Sequence, residues 1–424
     1  MSNTDAAPSE VGCGASTFDG VLHPREVPLG GPRAIRVRRT LPQRDRSLIG
    51  AWCFADHYGP HDLRSGPPMD VPPHPHTGLQ TVSWLFSGQI EHRDSAGVHA
   101  IVRPGELNLM TAGAGICHSE VSMVDAPVLH GAQLWVALPD ADRDTDRDFA
   151  HHVPRARTVG GLTARVFLGE LDGERSPVHT FTPLLGAQLD LDPGVEVTLD
   201  VDDAFEHGVL VDQGSVEACG AELAVADLGY QGTGHPTLHL ANRGDGPARV
   251  LLLGGTPFGE ELLMWWNFVG RSHEEIVAFR EQWQAGDARF GSVDGYRGDL
   301  ARLPAPPLPH ATLRSRPRRG YREGMANDRT GAPTEVVTDE DRFSISVDGR
   351  VVGFADFYDR DGRRVFPHTE VDPRYQGRGL ATILVREALE ATRSAGLRVV
   401  PQCWMVAEFI DKNPEFADLT GDPS

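Results

Sequence analysis

Four residues in two short runs have the types and spacing of a metal site. They are His74 and His76 in PPHPHTGLQ (residues 72–80), and His118 and Glu120 in GAGICHSE (residues 113–120). Side chains alternate between faces along an extended strand, so residues two apart point the same way and each pair can aim both donors into one cavity. Pro75 supports this for the first pair, because it holds an extended-compatible φ and pushes His74 out of the helical region. Pro72 and Pro73 stiffen the approach. Three imidazoles and one carboxylate are hard-to-borderline donors suited to iron, manganese, nickel, copper or zinc. An octahedral ion held this way would keep two positions for a substrate oxygen and a water or dioxygen. In a chain with 18 histidines an isolated H-x-H or H-x-E is a weak signal. Here each pair adjoins glycine-rich turn chemistry and a strand-like run, residues 81–86 and 107–111.

The elements that must position these residues read as β. From about residue 21 to 138, short β-rich runs punctuated by glycine and proline predict a sandwich or barrel. The small, polar residues 1–20 read as a mobile tail. The Asp-rich stretch 139–148 reads as a solvated connection, since it lacks the spacing of a calcium loop. A second β-domain of similar size follows, with strands near 164–168, 195–201, 208–211, 237–240 and 249–253. It has neither ligand pair, and its His179, His207, His235 and His239 are isolated, so a metal-free packing or gating role is expected. Residues 272–284 read as a helix with a Ser272-x-x-Glu275 capping box and Ile276, Phe279 and Trp283 on one face; Trp265 and Trp266 before it read as core. Residues 303–333 are a proline- and arginine-rich linker whose arginines pair with the chain's own domains or are solvated. Met325 within it suggests a gene fusion.

Beyond the linker the pattern changes to an antiparallel meander with turns at Asp348-Gly349 and Asp361-Gly362. Gly377 and Gly379 then precede a helix in which Ala381, Leu384, Val385 and Ala388 mark an apolar face, with Gly396 as its C-cap. A glycine turn entering a helix exposes unpaired N–H groups, on which a pyrophosphate can settle. A dinucleotide-binding reading fails, because that fingerprint opens a strand-helix-strand unit.

A net charge of −20 disfavours a general grip on phosphate backbones, so direct nucleic-acid binding is not expected. No run has the length of a membrane helix, and the start MSNTDAAPSE has neither a basic nor an apolar signal region, which reads as cytoplasmic with no membrane contact. Five scattered cysteines without a C-x-x-C argue against a disulfide framework and against a thiolate zinc site. Cys117 alternates with His118 and is expected to face away from the metal as a packing residue.

The runs HPHTGLQTVSWLFSGQIEHRDSAG and RPGELNLMTAGAGICHSE resemble the pirin family, two-domain members of the cupin superfamily. An ordinary cupin carries a carboxylate in its first motif, where this chain has Gln80; the pirin-like pattern takes it from Glu120 instead. The resemblance covers roughly residues 20–290 and implies iron(II), or another divalent transition metal, on His74, His76, His118 and Glu120. It implies quercetin 2,3-dioxygenase activity on a flavonol-like small molecule, with Glu120 accepting the proton of the metal-bound hydroxyl. Its other implication is a redox-sensing regulator that binds a transcription factor or enzyme partner without turnover at the metal.

The tail module resembles the GNAT acetyltransferases. Arg374, Gln376, Gly377, Arg378, Gly379, Leu380 and Ala381 match their coenzyme A pyrophosphate loop. A short GNAT-like family is resembled more closely, through His368-Thr369-Glu370-Val371, Pro401-Gln402-Cys403 and Asn413-Pro414. This implies acetyl-CoA as cofactor and N-acetyltransferase activity. Cys403 is a candidate nucleophile, general acid or packed thiol, and Glu370 a candidate base or structural strand residue. The expected architecture is a mainly β bicupin followed by a small α+β GNAT-like acetyltransferase domain. Its expected divisions are 1–20 tail, 21–150 first cupin with the metal site, 151–300 second cupin, 301–333 linker and 334–424 acetyltransferase.

Overall fold

The computed structural model describes residues 11–13, 20–28, 35–43, 46–123, 125–309, 313, 330, 332, 334–338, 341–347, 350–360, 362–375, 377–395 and 397–420. The chain forms two units, residues 1–320 and 321–424.

The larger unit repeats one arrangement twice, a seven-stranded sheet facing a four-stranded one. In the first copy the large sheet runs in the order Asp148–His152, Leu107–Thr111, Leu79–Ser87, Val128–Ala137, Trp52–Asp62, Arg36–Leu41 and Arg25–Pro28. Its small sheet runs Asp70–His76, Ile116–Ser122, Ile90–Asp94 and His99–Val102. The second copy's large sheet centres on Leu184–Leu191, Ala248–Gly255 and Glu206–Gln213, all antiparallel. The central strands of the second copy, LLGAQLDL, EHGVLVDQ and ARVLLLGG, are rich in leucine and valine, which suit a pleated surface buried on both faces.

The two copies share a core. Trp52, Phe54, Trp84 and Trp135 of the first pack with Phe167, Leu210 and Leu251 of the second. Trp84 stacks on Phe167 at 4.5 Å between ring centroids. Buried indole N–H groups find partners across this seam: Trp52 donates to the carbonyls of Leu185 and Gly254, and Trp84 to Gln188 Oε1 at 2.9 Å.

The sheets cross the divisions expected from sequence. Gly20–Leu22 pairs with Leu228–Gln231 and completes the second copy's large sheet, whereas Asp148–His152 pairs with Leu107–Thr111 in the first. Val11–Cys13, expected within a mobile tail, instead pairs antiparallel with Leu262–Trp265. A strand edge offers unpaired N–H and C=O groups that local composition does not reveal. The helix His273–Ala285 is capped by Ser272, whose side chain accepts from Glu275 N at 3.2 Å. The capping box is only half closed, because Glu275 turns to accept from Arg271 N and Arg143. Ile276 and Trp283 of that helix pack with Trp265, Trp266 and Cys117, so both tryptophans are core.

The smaller unit is a five-stranded sheet, antiparallel except where Arg363–Val371 meets Arg398–Val400 in parallel. The helices Leu380–Ser394 and Trp404–Lys412 complete its core. Leu380, Leu384, Val385, Ala388 and Leu389 form the buried face of the first helix, while Ala381 is only half-buried. That helix ends on Ala395 in a right-handed conformation, one residue before the expected cap. Gly396, Gln376, Met325, the linker arginines and the Asp348-Gly349 turn lie outside the described residues. No helix among the described residues is long and apolar enough to cross a membrane.

Candidate metal centre and coenzyme loop

His74 and His76 end the strand Asp70–His76, and His118 and Glu120 lie on its neighbour Ile116–Ser122, where His118 faces His74 across the ladder. Between His118 and Glu120 that register slips, since Glu120 pairs with Val71. The extra residue falls at Pro72 and Pro73, which have no N–H to give to a ladder and sit naturally in a bulge. All four side chains have no solvent exposure. The ligand atoms of His74, His76 and His118 lie within 4.8 Å of one another, and Glu120 forms a second such group with His118 and His92.

Burial dominates the electrostatics. It lowers the imidazole of His74 to about 4 and those of His76 and His118 well below the usual range, so all three are neutral near pH 7. Neutral imidazole is the ligand form, and the hydrogen bonds around each ring select which nitrogen is free. His74 Nδ1 lies 2.7 Å from the carbonyl of Pro72, an acceptor only, so Nδ1 carries the hydrogen and Nε2 keeps its lone pair.

His118 is set by a longer chain. Asp94 Oδ1 accepts from the N–H groups of Ala96 and Val98, and its Oδ2 lies 3.1 Å from His92 Nε2. A neutral His92 that donates to Asp94 turns the lone pair of its Nδ1 toward His118 Nδ1, 3.4 Å away. His118 then carries its hydrogen on Nδ1 and presents the lone pair of Nε2, which lies 3.1 Å from His76 Nε2. Such outer partners orient metal-binding histidines and raise their basicity. Ser83 Oγ lies 3.2 Å from Glu120 Oε1. Three neutral imidazoles, those of His74 and His118 with their ring hydrogens turned outward, beside a carboxylate, fit a divalent transition metal.

Sequence reasoning missed His92 and Asp94, although they show the same two-residue spacing on one strand within the run EHRDS. Cys117 points the other way, into the Trp265 and Trp283 cluster, where burial pushes its thiol up to about 12.

Comparison with known proteins agrees with this architecture. The pirin family model matches residues 34–136, the pirin C-terminal cupin model residues 186–291, and a GCN5-related N-acetyltransferase model residues 342–419. A Pseudomonas aeruginosa protein named "Putative quercetin 2,3-dioxygenase PA1205" is 46% identical over 287 residues, which cover 67% of this chain and 89% of that one. The chain belongs to the pirin family. A pirin-like protein of Caulobacter vibrioides is 36% identical over 296 residues, covering 68% of this chain and 99% of its own length. The crystal structure of a quercetin 2,3-dioxygenase from Acinetobacter baumannii superposes with a TM-score of 0.65 at 38% identity, covering 70% of this chain and 97% of that one. The tail of this chain, over residues 342–419, is a GCN5-related N-acetyltransferase domain.

In that tail Gly377 and Gly379 take φ of +82° and +80°, conformations that favour glycine, and Gly379 is the N-cap of Leu380–Ser394. A Cβ at Gly377 would meet nothing within 4 Å, so the loop faces open space. Arg374 is exposed and paired with Asp372, and its neighbour Arg378 lies over the Tyr375 ring at 5.1 Å. Cys403 is buried in the core at the start of Trp404–Lys412, its N–H bonded to Phe366 O. Glu370 is exposed instead, 3.4 Å from His368, so the two candidate catalytic groups of the tail stand in different surroundings.

Proposed function

We propose that the larger unit is an iron-dependent dioxygenase of the quercetin 2,3-type, carried in a cytoplasmic protein whose tail binds acetyl-CoA and transfers its acetyl group. The observation that carries the first part is the convergence of His74, His76 and His118, all buried and neutral, with Glu120 beside them. The names of the similar Pseudomonas and Acinetobacter proteins support the substrate class. His74, His76, His118 and Glu120 would hold the iron, which supplies Lewis acidity toward a flavonol hydroxyl and one-electron chemistry toward dioxygen. Pro72 and the Asp94–His92 chain keep the ring hydrogens of His74 and His118 turned outward, so these imidazoles bind without first losing a proton to solvent. Glu120 would take the flavonol's hydroxyl proton. Quercetin turnover under oxygen, followed as carbon monoxide release and as loss of the flavonol absorbance, tests this reading. Turnover lost in His118→Ala together with iron supports it; a wild-type protein with one bound iron and no turnover leaves a binding or regulatory role.

For the tail, Gly377 and Gly379 at a helix N-terminus supply N–H groups for the pyrophosphate, with Arg374 and Arg378 adding positive charge. Saturable acetyl-CoA binding that disappears when Gly377 and Gly379 are enlarged tests this part separately.

A further inference from the structure

A second group of ligand-type side chains lies at the seam between the two cupin halves, on faces that the first centre does not use. His57 on Trp52–Asp62 and His130 on Val128–Ala137 come from the first half, and Asp212 on Glu206–Gln213 comes from the second. Both imidazoles aim Nε2 at one atom: Asp212 Oδ1 is 2.6 Å from His57 and 2.7 Å from His130, and the two nitrogens are 3.4 Å apart. The side chains of His57 and Asp212 are 1% exposed and that of His130 13%, so the group is closed on one side and reachable on the other.

The backbone is built around this meeting point. The pairing of Val128–Ala137 is irregular at His130 against both of its neighbouring strands, and that of Glu206–Gln213 is irregular at Asp212. Bulges of this kind re-aim a side chain, here two of the three that converge. Asp212's other oxygen is held by Arg249 at 3.1 Å, and Arg249 is held in turn by Asp190 at 2.8 Å.

We propose that His57, His130 and Asp212 form a second divalent-metal site, of zinc(II) type, that ties the two cupin halves together. Two imidazole nitrogens and one carboxylate oxygen are a common zinc donor set, with bonds of about 2.0–2.2 Å and a fourth position left to water. Tetrahedral bonds of that length place donors roughly 3.4 Å apart, the spacing the two nitrogens already have. The carboxylate oxygen, now 2.6 and 2.7 Å from the two nitrogens, must retreat by roughly 0.8–1 Å to reach that spacing. The ligands come from both halves, so binding favours the docked arrangement over a separated one.

The test is a two-by-two set: wild type, His118→Ala, His130→Gln and the double variant, each freed of metal with chelator and titrated with zinc(II) alone by calorimetry and metal analysis. The site predicts that His130→Gln loses one molar equivalent whether or not His118 is present. It also predicts affinity there weakened by more than the roughly 10- to 100-fold that loss of an outer partner costs. Zinc(II) should raise the melting temperature of His118→Ala and leave that of the double variant unmoved. Because His130 is the least buried of the three, its replacement is the one least expected to disturb folding, and cobalt(II) absorption in unmutated protein gives a second reading without any variant. Stoichiometry unchanged by His130→Gln, or weak binding at many sites that no variant alters, overturns the proposal. If His118→Ala keeps all its metal while His130→Gln loses an equivalent, the first centre is the one wrongly assigned.

Discussion

His92 Nδ1 lies 3.4 Å from His118 Nδ1, and the far side of His92 is held by Asp94 at 3.1 Å. A residue that is not among the four assigned ligands therefore decides which nitrogen of His118 is free.

Replacing His92 by phenylalanine keeps the ring packed against Phe149 but removes the acceptor for the His118 hydrogen. Metal affinity at the first centre is expected to fall by roughly 10- to 100-fold while the fold is retained, which is the effect of losing an outer partner. Competition with a chelating dye measures it. Affinity equal to that of wild type would show that His118 needs no such orientation.

His207 gives the larger unit an acid-sensitive point that belongs to neither candidate ligand group. It is buried, neither ring nitrogen has a hydrogen-bond partner among the described residues, and burial lowers its imidazole to about 4 from an ordinary 6.5. Below pH 6.5 the unfolded chain takes up a proton that the folded chain refuses. Stability present above that pH is therefore lost as pH falls toward 4, at about 1.4 kcal/mol per pH unit. His207→Leu should flatten this slope between pH 6 and 4 in urea titrations of metal-free protein. An unchanged slope would assign the acid loss to other groups.

Gly377 and Gly362 offer a matched pair in the smaller unit, with φ of +82° and +71° and no atom within 4 Å of the place a Cβ would take at either. Alanine at each imposes the same backbone strain, about 1–2 kcal/mol. Only Gly377→Ala should also weaken acetyl-CoA binding, by at least about tenfold, or 1.4 kcal/mol. Equal affinities for the two variants in calorimetry would remove the pyrophosphate role from this loop.

Trp84→Phe tests the seam between the cupin halves. The ring still stacks toward Phe167, but Gln188 Oε1, otherwise buried, loses the N–H that satisfies it. A loss of about 1–3 kcal/mol is expected from an unpaired buried acceptor. Urea unfolding monitored by fluorescence and circular dichroism measures it, and a change below about 0.5 kcal/mol would mean that water replaces the indole.

Much of this molecule is legible along the chain, and the reason is local. A two-residue period holds His74 with His76 and His118 with Glu120 on shared faces, and a glycine turn before an apolar helix singles out Gly377 and Gly379. Strand-like periodicity likewise places the strands near 164–168, 208–211 and 249–253 and the helix His273–Ala285 to within a few residues. What spacing along one strand cannot contain is the partner strand. Asp148–His152 joins the first cupin's sheet and Gly20–Leu22 the second's because edges there needed hydrogen bonds.

The sequence by itself determined that His74 and His76, His118 and Glu120, and Gly377 and Gly379 fall at spacings that strands and turns bring together, since side-chain chemistry and strand or turn periodicity are properties of short segments. Only the tertiary structure decided that His92 orients His118, and that Asp212 reaches across 155 positions to meet His57. Those meetings depend on bulges, register and the packing of one sheet on another, and each is set by contacts between segments that no local period connects.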